Sequence, residues 1–159
     1  MNLESDEPSA DCQHCPRLAA YRREQQAAQP GWFNAPVPLF GDRDGWLAIV
    51  GLAPGLRGAN RTGRAFTGDG SGAMLFSVMG EFGLTRGSYQ GETGDGFALA
   101  GAIIVNSVRC VPPANRPTPE EIRACRPFLR APLFAMPSLT AIIALGRIAH
   151  RSEEHTSEL

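Results

Sequence analysis

The stretch Gly51-Leu52-Ala53-Pro54-Gly55-Leu56-Arg57-Gly58-Ala59-Asn60-Arg61-Thr62-Gly63-Arg64-Ala65-Phe66-Thr67-Gly68-Asp69-Gly70-Ser71-Gly72 decides how the chain is read. Before it, Trp46-Leu47-Ala48-Ile49-Val50 is an apolar run that reads as a short buried strand. After it, Ala73-Met74-Leu75-Phe76-Ser77-Val78-Met79 reads as a helix with Ser71 near its N-cap. The connection is too long and too rich in glycine for a plain turn, and loops of this length are usually functional or disordered. Its glycines let the backbone approach a ligand closely and adopt positive φ. Asn60, Arg61 and Arg64 add donors for anions, Phe66 a flat apolar face, and Asp69 a carboxylate at the helix entrance.

Two common glycine-loop chemistries fail here. A Walker-type phosphate loop needs a lysine, and the chain contains none. The dinucleotide fingerprint G-x-G-x-x-G is absent from the strand end.

Working outward, Ala102-Ile103-Ile104-Val105 and Thr140-Ala141-Ile142-Ile143-Ala144-Leu145 read as two further strands. A helix is expected from Pro16 to Ala28, with the proline in its first turn. Another starts at Thr118-Pro119-Glu120-Glu121, with Thr118 as N-cap and acids in the first turn, and is interrupted by Pro127. Residues 85–96 read as a polar, glycine-rich loop. Apolar strands alternating with helices imply an α/β domain with a parallel sheet. Ligands in such sheets bind beyond the carboxyl ends of the strands. The glycine-rich loop and Asn106 can therefore converge on one pocket.

The cysteines are Cys12, Cys15, Cys110 and Cys125. A C-x-x-C pair joined by two distant cysteines is a metal pattern rather than a disulfide framework. The spacing alone leaves open a four-cysteine zinc site, an iron–sulfur cluster or buried structural thiols.

The glycine-rich stretch resembles the first motif of the uracil-DNA glycosylase superfamily, in its type b (family 5) iron–sulfur branch. The residues that carry this likeness are Gly-Leu-Ala-Pro from Gly51, Gly-Ala-Asn-Arg-Thr-Gly-Arg from Gly58 and Phe-Thr-Gly-Asp from Phe66. It extends upstream to Pro36-Val37-Pro38-Leu39-Phe40-Gly41-Asp42. Downstream it takes in Asn106-Ser107-Val108-Arg109-Cys110-Val111-Pro112-Pro113-Ala114-Asn115-Arg116-Pro117 and Ala144-Leu145-Gly146-Arg147-Ile148-Ala149. The resemblance implies an α/β three-layer sandwich around a central parallel sheet of four strands. This chain would supply three, with the final strand and helix missing and residues 140–145 left as an apolar edge prone to aggregation.

The resemblance also implies DNA containing uracil or other deaminated bases, such as hypoxanthine, as substrate, excised by hydrolysis of the N-glycosidic bond. It implies a [4Fe–4S] cluster on Cys12, Cys15, Cys110 and Cys125, structural in role, with His14 beside the ligands. Phe66 is expected to stack the flipped base and Asn106 to read its edge. Gly51, Leu52, Ala53 and Gly55 are expected to offer backbone contacts. Ala53 stands where other branches carry a water-activating polar residue, which leaves that work to Asp69. Asn60, Arg61 and Arg64 are expected on DNA phosphates. Arg57 has the same chemistry but stands where the resemblance predicts histidine, which leaves its role open. The family's His-Pro-Ser element after the fourth strand is absent, so the chain as it stands is expected to be weakly active or inactive. The competing readings are a non-catalytic four-cysteine metal module that binds nucleic acid and a nucleotide-directed α/β enzyme of another class.

Composition bounds the rest. The 159 residues suit one domain, and no apolar run is long enough to span a membrane. The acidic N-terminus argues against a signal peptide, so a cytoplasmic monomer is expected. Residues 1–10 are expected to be disordered and residues 11–150 to form the domain. Residues 151–159, Arg-Ser-Glu-Glu-His-Thr-Ser-Glu-Leu, fit neither. One codon reading of them, AGA-TCG-GAA-GAG-CAC-ACG-TCT-GAA-CTC, matches a widely used sequencing adapter. The tail is therefore read as non-native and the domain as incomplete. Its one arginine and three glutamates account for more than the whole formal charge of −1.

Overall fold

The computed structural model describes residues 6–146. In chain order the elements are α1 (Pro16–Ala28), β1 (Phe40–Gly41), β2 (Leu47–Gly51), α2 (Ala59–Thr62), α3 (Ser71–Glu81), β3 (Thr85–Arg86), β4 (Ala98–Leu99), β5 (Ala102–Asn106), α4 (Pro119–Phe134) and β6 (Ala141–Ala144), with a 3-10 turn at Pro113–Asn115 before α4.

The central sheet has the order β1-β5-β2-β6. β5, β2 and β6 are parallel, and β2 and β5 are buried at every position. Unbroken burial explains why both read as continuous apolar runs: helices cover both faces. Leu47, Ile49, Ala102 and Ile104 point to one side, where Phe76 and Met79 of α3 pack with Phe97 and Leu99. Ala48, Val50, Ile103 and Val105 point to the other, against Leu129 and Leu133 of α4. The three-layer α/β sandwich expected from the sequence is thus present.

The sheet itself is mixed rather than purely parallel. Phe40 and Gly41 pair antiparallel with Ile104 and Ile103, adding a strand where three were expected. Gly41 makes the pairing possible, since its φ is +130° and a Cβ there would overlap the Ala102 carbonyl. β6 forms the opposite edge among the described residues, with Ile143 about half exposed. The stretch read as a plain loop over residues 85–96 begins in β3, which pairs antiparallel with β4. The expectations for residues 147–159 lie outside the described residues.

α4 begins as its sequence requires. Thr118 Oγ1 accepts from the Glu121 N–H, and the Glu121 carboxylate accepts from the Thr118 N–H, a reciprocal capping box. Burial pushes the Glu121 carboxyl up, but hydrogen bonds from Arg17 and the Thr118 N–H outweigh it and hold it below its ordinary range. The interruption expected at Pro127 does not occur; the helix runs through both Pro127 and Pro132. Pro132 cannot donate to the Phe128 carbonyl four residues earlier. The Arg109 guanidinium donates to that carbonyl instead, at 2.7 Å. Burial of Leu129 and Leu133 against the sheet holds the helix together across the missing bond.

Arg109 is only 1% exposed and also donates to the Val37 carbonyl at 3.1 Å and to Glu7 at 2.6 Å. The Asp6 carboxylate pairs with Arg43. Among the described residues the N-terminal segment thus contacts the fold from Asp6 onward. Charged groups concentrated in this segment find partners across the fold that no local pattern announces. Replacing Arg109 by Met should deprive the Val37 and Phe128 carbonyls of this donor and remove one ion pair from Glu7, which keeps Arg43 and the Leu39 N–H, at a cost of about 3 kcal/mol. Urea unfolding should show the loss as a lower midpoint at unchanged slope.

Candidate active site and cysteine cluster

The site grows from the register of β2 on β5, which sets Gly51 opposite Asn106. The ladder continues past the strand ends. The Ser107 N–H donates to the Gly51 carbonyl and the Val108 N–H to the Leu52 carbonyl, both at 2.9 Å. Gly51 has no room for a side chain. A Cβ there would overlap Asn106 Oδ1 and lie 3.0 Å from the Phe66 ring.

Beyond Pro54 the loop folds on itself. The Gly58 and Asn60 N–H groups both donate to the Gly55 carbonyl, and Gly63 ends α2 in the left-handed region. Phe66 is also left-handed, at φ +54°, which is uncommon for a bulky residue and costs conformational energy. Two contacts hold it there. The Tyr89 hydroxyl donates to the Phe66 carbonyl at 3.2 Å, and Gly72 of α3 packs so closely on that carbonyl that a Cβ would overlap it.

Asp69 precedes α3. Its Oδ1 accepts from the Ser71 N–H at 3.0 Å and from the Ser71 hydroxyl. The N-cap residue is Gly70, and Ser71 is already helical, so the capping expected of Ser71 comes from Asp69. Oδ2 faces the glycine turn, where a Cβ on Gly55 would come within 2.7 Å and one on Gly58 would overlap it.

Phe66, Asp69 and Asn106 thus meet in one pocket with Ala53, Pro54, Gly55, Ala59 and Ser71. Asn106 is 5% exposed, and its Oδ1 is buried with no hydrogen-bond partner among the described residues. An orphaned buried acceptor is costly. Here the residue that carries it lines a pocket. Leu52 does not line the pocket, and Gly51 bounds it through Asn106 and Phe66. Pro54, Ala59 and Ser71 were not anticipated, because their contribution depends on how the loop folds back.

The phosphate contacts expected of Asn60 and Arg64 do not fit the structure. Asn60 is fully buried, and its amide donates to Asn34 Oδ1 at 3.0 Å. Arg64 is 7% exposed and forms a two-pronged bond with Asp95, each arm 2.9 Å. It also donates to Thr67 Oγ1 and the Glu92 carbonyl, and its guanidinium lies over Phe40, Tyr89 and Phe97. Arg61 is half-buried, bonded to Glu92 at 3.2 Å and to the Gly68 carbonyl at 3.1 Å. Two of the three expected phosphate ligands therefore hold the loop together from inside.

The cysteines come from three chain segments and line a second pocket, together with His14, Leu18, Val108, Arg109 and Phe128. Cys110 and Cys125 are buried, Cys12 and Cys15 partly so, and all four are free thiols. The Arg109 N–H donates to Cys125 Sγ at 3.4 Å, and the His14 ring meets Phe128 edge-on at 5.7 Å. Burial, and then the neighbouring thiols, push the Cys15 thiol up to about 11. Burial pushes Cys110 up to about 12, against the lowering effect of Arg22, and raises Cys125 as well. Among the described residues no group of three or more His, Cys, Asp or Glu side chains is set to hold a single metal ion. The four cysteines share the lining of one pocket without forming such a group.

Fold and pocket together define a class. The chain belongs to the uracil DNA glycosylase superfamily, whose sequence profile matches residues 38–157. Within it, the chain is similar to two proteins named type-5 uracil-DNA glycosylase. It is 44% identical to that of Thermus thermophilus over 144 residues, covering 87% of this chain and 65% of the relative. It is 39% identical to that of Pyrobaculum aerophilum over 146 residues, covering 89% and 64%. A protein named type-4 uracil-DNA glycosylase, also from Pyrobaculum aerophilum, is 33% identical over 143 residues, covering 89% and 59%. The chain thus spans somewhat less than two thirds of the length of these relatives.

The Gly51 contacts give a direct test of the pocket. Gly51→Ala should push Asn106 and Phe66 apart and reduce ligand affinity at least tenfold while the chain stays folded. Titration of uracil-containing single strands, with circular dichroism as the fold control, reads both.

Proposed function

We propose that the chain carries the base-excising site of a uracil-DNA glycosylase acting on DNA, with a type-5 pattern of residues. The observation that carries this reading is the orphaned Oδ1 of Asn106, a residue that lines one pocket with Phe66 and Asp69. An enzyme that acts on a base takes it out of the stack and reads its Watson–Crick edge between aromatic or apolar walls. Asn106 supplies an acceptor and a donor for that edge, and Phe66 supplies the wall. Cleavage of the glycosidic bond builds positive charge on the sugar and negative charge on the leaving base. Asp69, with Oδ1 fixed by Ser71, keeps Oδ2 to orient water and to offset the sugar's charge. Ala53 adds no side-chain polar group, so no second carboxylate competes for that water. Uracil is the substrate, and the small Ala53 side chain leaves room for wider deaminated bases such as hypoxanthine.

The four thiols fit a [4Fe–4S] cluster better than one zinc ion. A zinc ion draws its sulfur ligands to about 2.3 Å from one centre, and no such convergent group is present among the described residues, whose four cysteines line one pocket. When bound, the cluster would tie α1, the loop after β5 and α4 together, a structural service. The resident thiols would have to give up protons that burial makes them hold tightly, so assembly favours higher pH. A cytoplasmic, reducing compartment suits unpaired thiols. No helix among the described residues is long and apolar enough to cross a membrane. The chain acts as a monomer on DNA.

Incubation with a labelled duplex carrying one U:G pair, followed by cleavage at abasic sites, tests the activity. Release of uracil that depends on Asn106 supports the reading. In the chain completed with the missing C-terminal element, DNA binding without release of uracil or hypoxanthine would favour a non-catalytic four-cysteine module instead. Assay of iron, acid-labile sulfide and zinc in anaerobically purified protein separates the cluster from zinc. Iron and sulfide in equal amounts are expected, and their removal should lower the thermal midpoint by several degrees.

A further inference from the structure

We propose that Arg57 is the loop's contact to a DNA phosphate at the rim of the base pocket. The inference rests on the glycosylase reading for its ligand and on the loop's own geometry for its residue. The loop carries three arginines, and the structure commits two of them. Arg64 is buried on Asp95, and Arg61 is bonded to Glu92 and to the Gly68 carbonyl. Arg57 is exposed, and among the described residues its guanidinium has no hydrogen-bond or ion-pair partner. Only its backbone is engaged, its carbonyl accepting from Arg61 Nε at 2.9 Å.

Position argues further. Arg57 rides the turn closed by the Gly58 N–H on the Gly55 carbonyl. Gly55 lines the pocket, and Gly55 and Gly58 both abut Asp69 Oδ2. The turn that cradles the carboxylate therefore presents the loop's one uncommitted cation to solvent at the pocket's edge. A nucleotide flipped into the pocket brings its flanking phosphates to that edge. A guanidinium suits a phosphate because its planar fork can engage two oxygens at once. The Arg61 bond to the Arg57 carbonyl helps fix the turn that carries the guanidinium.

Binding is measured with the full chain on an undamaged duplex, across a salt series, and uracil excision is measured separately. Undamaged DNA keeps the readout free of turnover, because phosphate contacts are independent of sequence. Arg57→Gln should weaken binding and lower the slope of log K against log salt by about one. Arg57→Lys should restore most of the slope. Excision at subsaturating protein should fall in step with the loss of affinity. An unchanged slope in Arg57→Gln overturns the proposal, as does an equal loss in Arg123→Gln at an exposed position of α4, which would mark a diffuse charge effect. If the Arg57-dependent slope is seen but the chain completed with the missing C-terminal element releases no uracil, the excision reading fails and the phosphate contact stands. If uracil is released normally and the slope is unaltered, the reverse holds.

Discussion

Asp69→Asn should lower single-turnover uracil excision by about 10²- to 10⁴-fold, the range a positioned acid or base contributes. The choice of asparagine isolates the charge. Asn Oδ1 can still accept from the Ser71 N–H and hydroxyl, so the entrance to α3 keeps its cap. What changes is the group that faces the Gly55–Gly58 turn, where a neutral amide replaces Oδ2. An amide can neither take up a proton from water nor offset the charge on the sugar. Affinity for uracil-containing DNA should stay equal or rise, because a negative charge near the phosphates is removed. A variant within threefold of wild type would remove Asp69 from the chemistry and leave it a helix cap.

The largest stability effect is expected at Asp95. Asp95→Asn leaves the Arg64 guanidinium buried among Phe40, Tyr89 and Phe97 without its counter-charge, at a cost of about 3–5 kcal/mol. The hydrogen bond from Arg64, with backbone N–H bonds from Gln90 and Phe97, holds the Asp95 carboxyl well below the usual carboxylate range against the effect of burial. A depressed folded-state pKa adds stability that is complete above the unfolded value of about 3.9 and is lost as pH falls toward the folded one. The gap between wild type and Asp95→Asn should therefore be constant from pH 7 down to about 5 and narrow in stronger acid. Urea midpoints across that range measure it. A gap that widened on acidification would refute the assigned sign.

The same pair shows where sequence reading reached its limit. Strand, loop and helix around Gly51 were legible because apolar runs and glycine have local meaning. α1 and the Thr118 cap were legible for the same reason, as both rest on neighbours three or four residues away. The meeting of Phe66, Asp69 and Asn106 followed from parallel strands delivering their ends to one side. The role of Arg64 was not legible. An arginine in a glycine-rich loop looks like an anion site until its acceptor is known, and Asp95 comes from a separate segment after α3. Asn60 misled in the same way, since its partner Asn34 precedes the first strand. The run past Pro132 was hidden because Arg109, remote in sequence, satisfies the Phe128 carbonyl. β1 escaped because two residues carry no period. In each case local chemistry named a donor or acceptor correctly, and a distant partner decided its use.

The pairing of Gly51 with Asn106 has a consequence in time as well as space. Asn106 ends a fully buried strand, and the ladder continues beyond it through Ser107 and Val108. Its amide should exchange with solvent only when the sheet opens as a whole. Asp69 stands exposed ahead of α3, held through Ser71, and its surroundings should exchange by local fluctuation. The pocket thus joins a slow wall to a fast one. Asn106 should keep its place while the segment of Asp69 opens and recloses around it, which is the division that the proposed roles of the two residues would use.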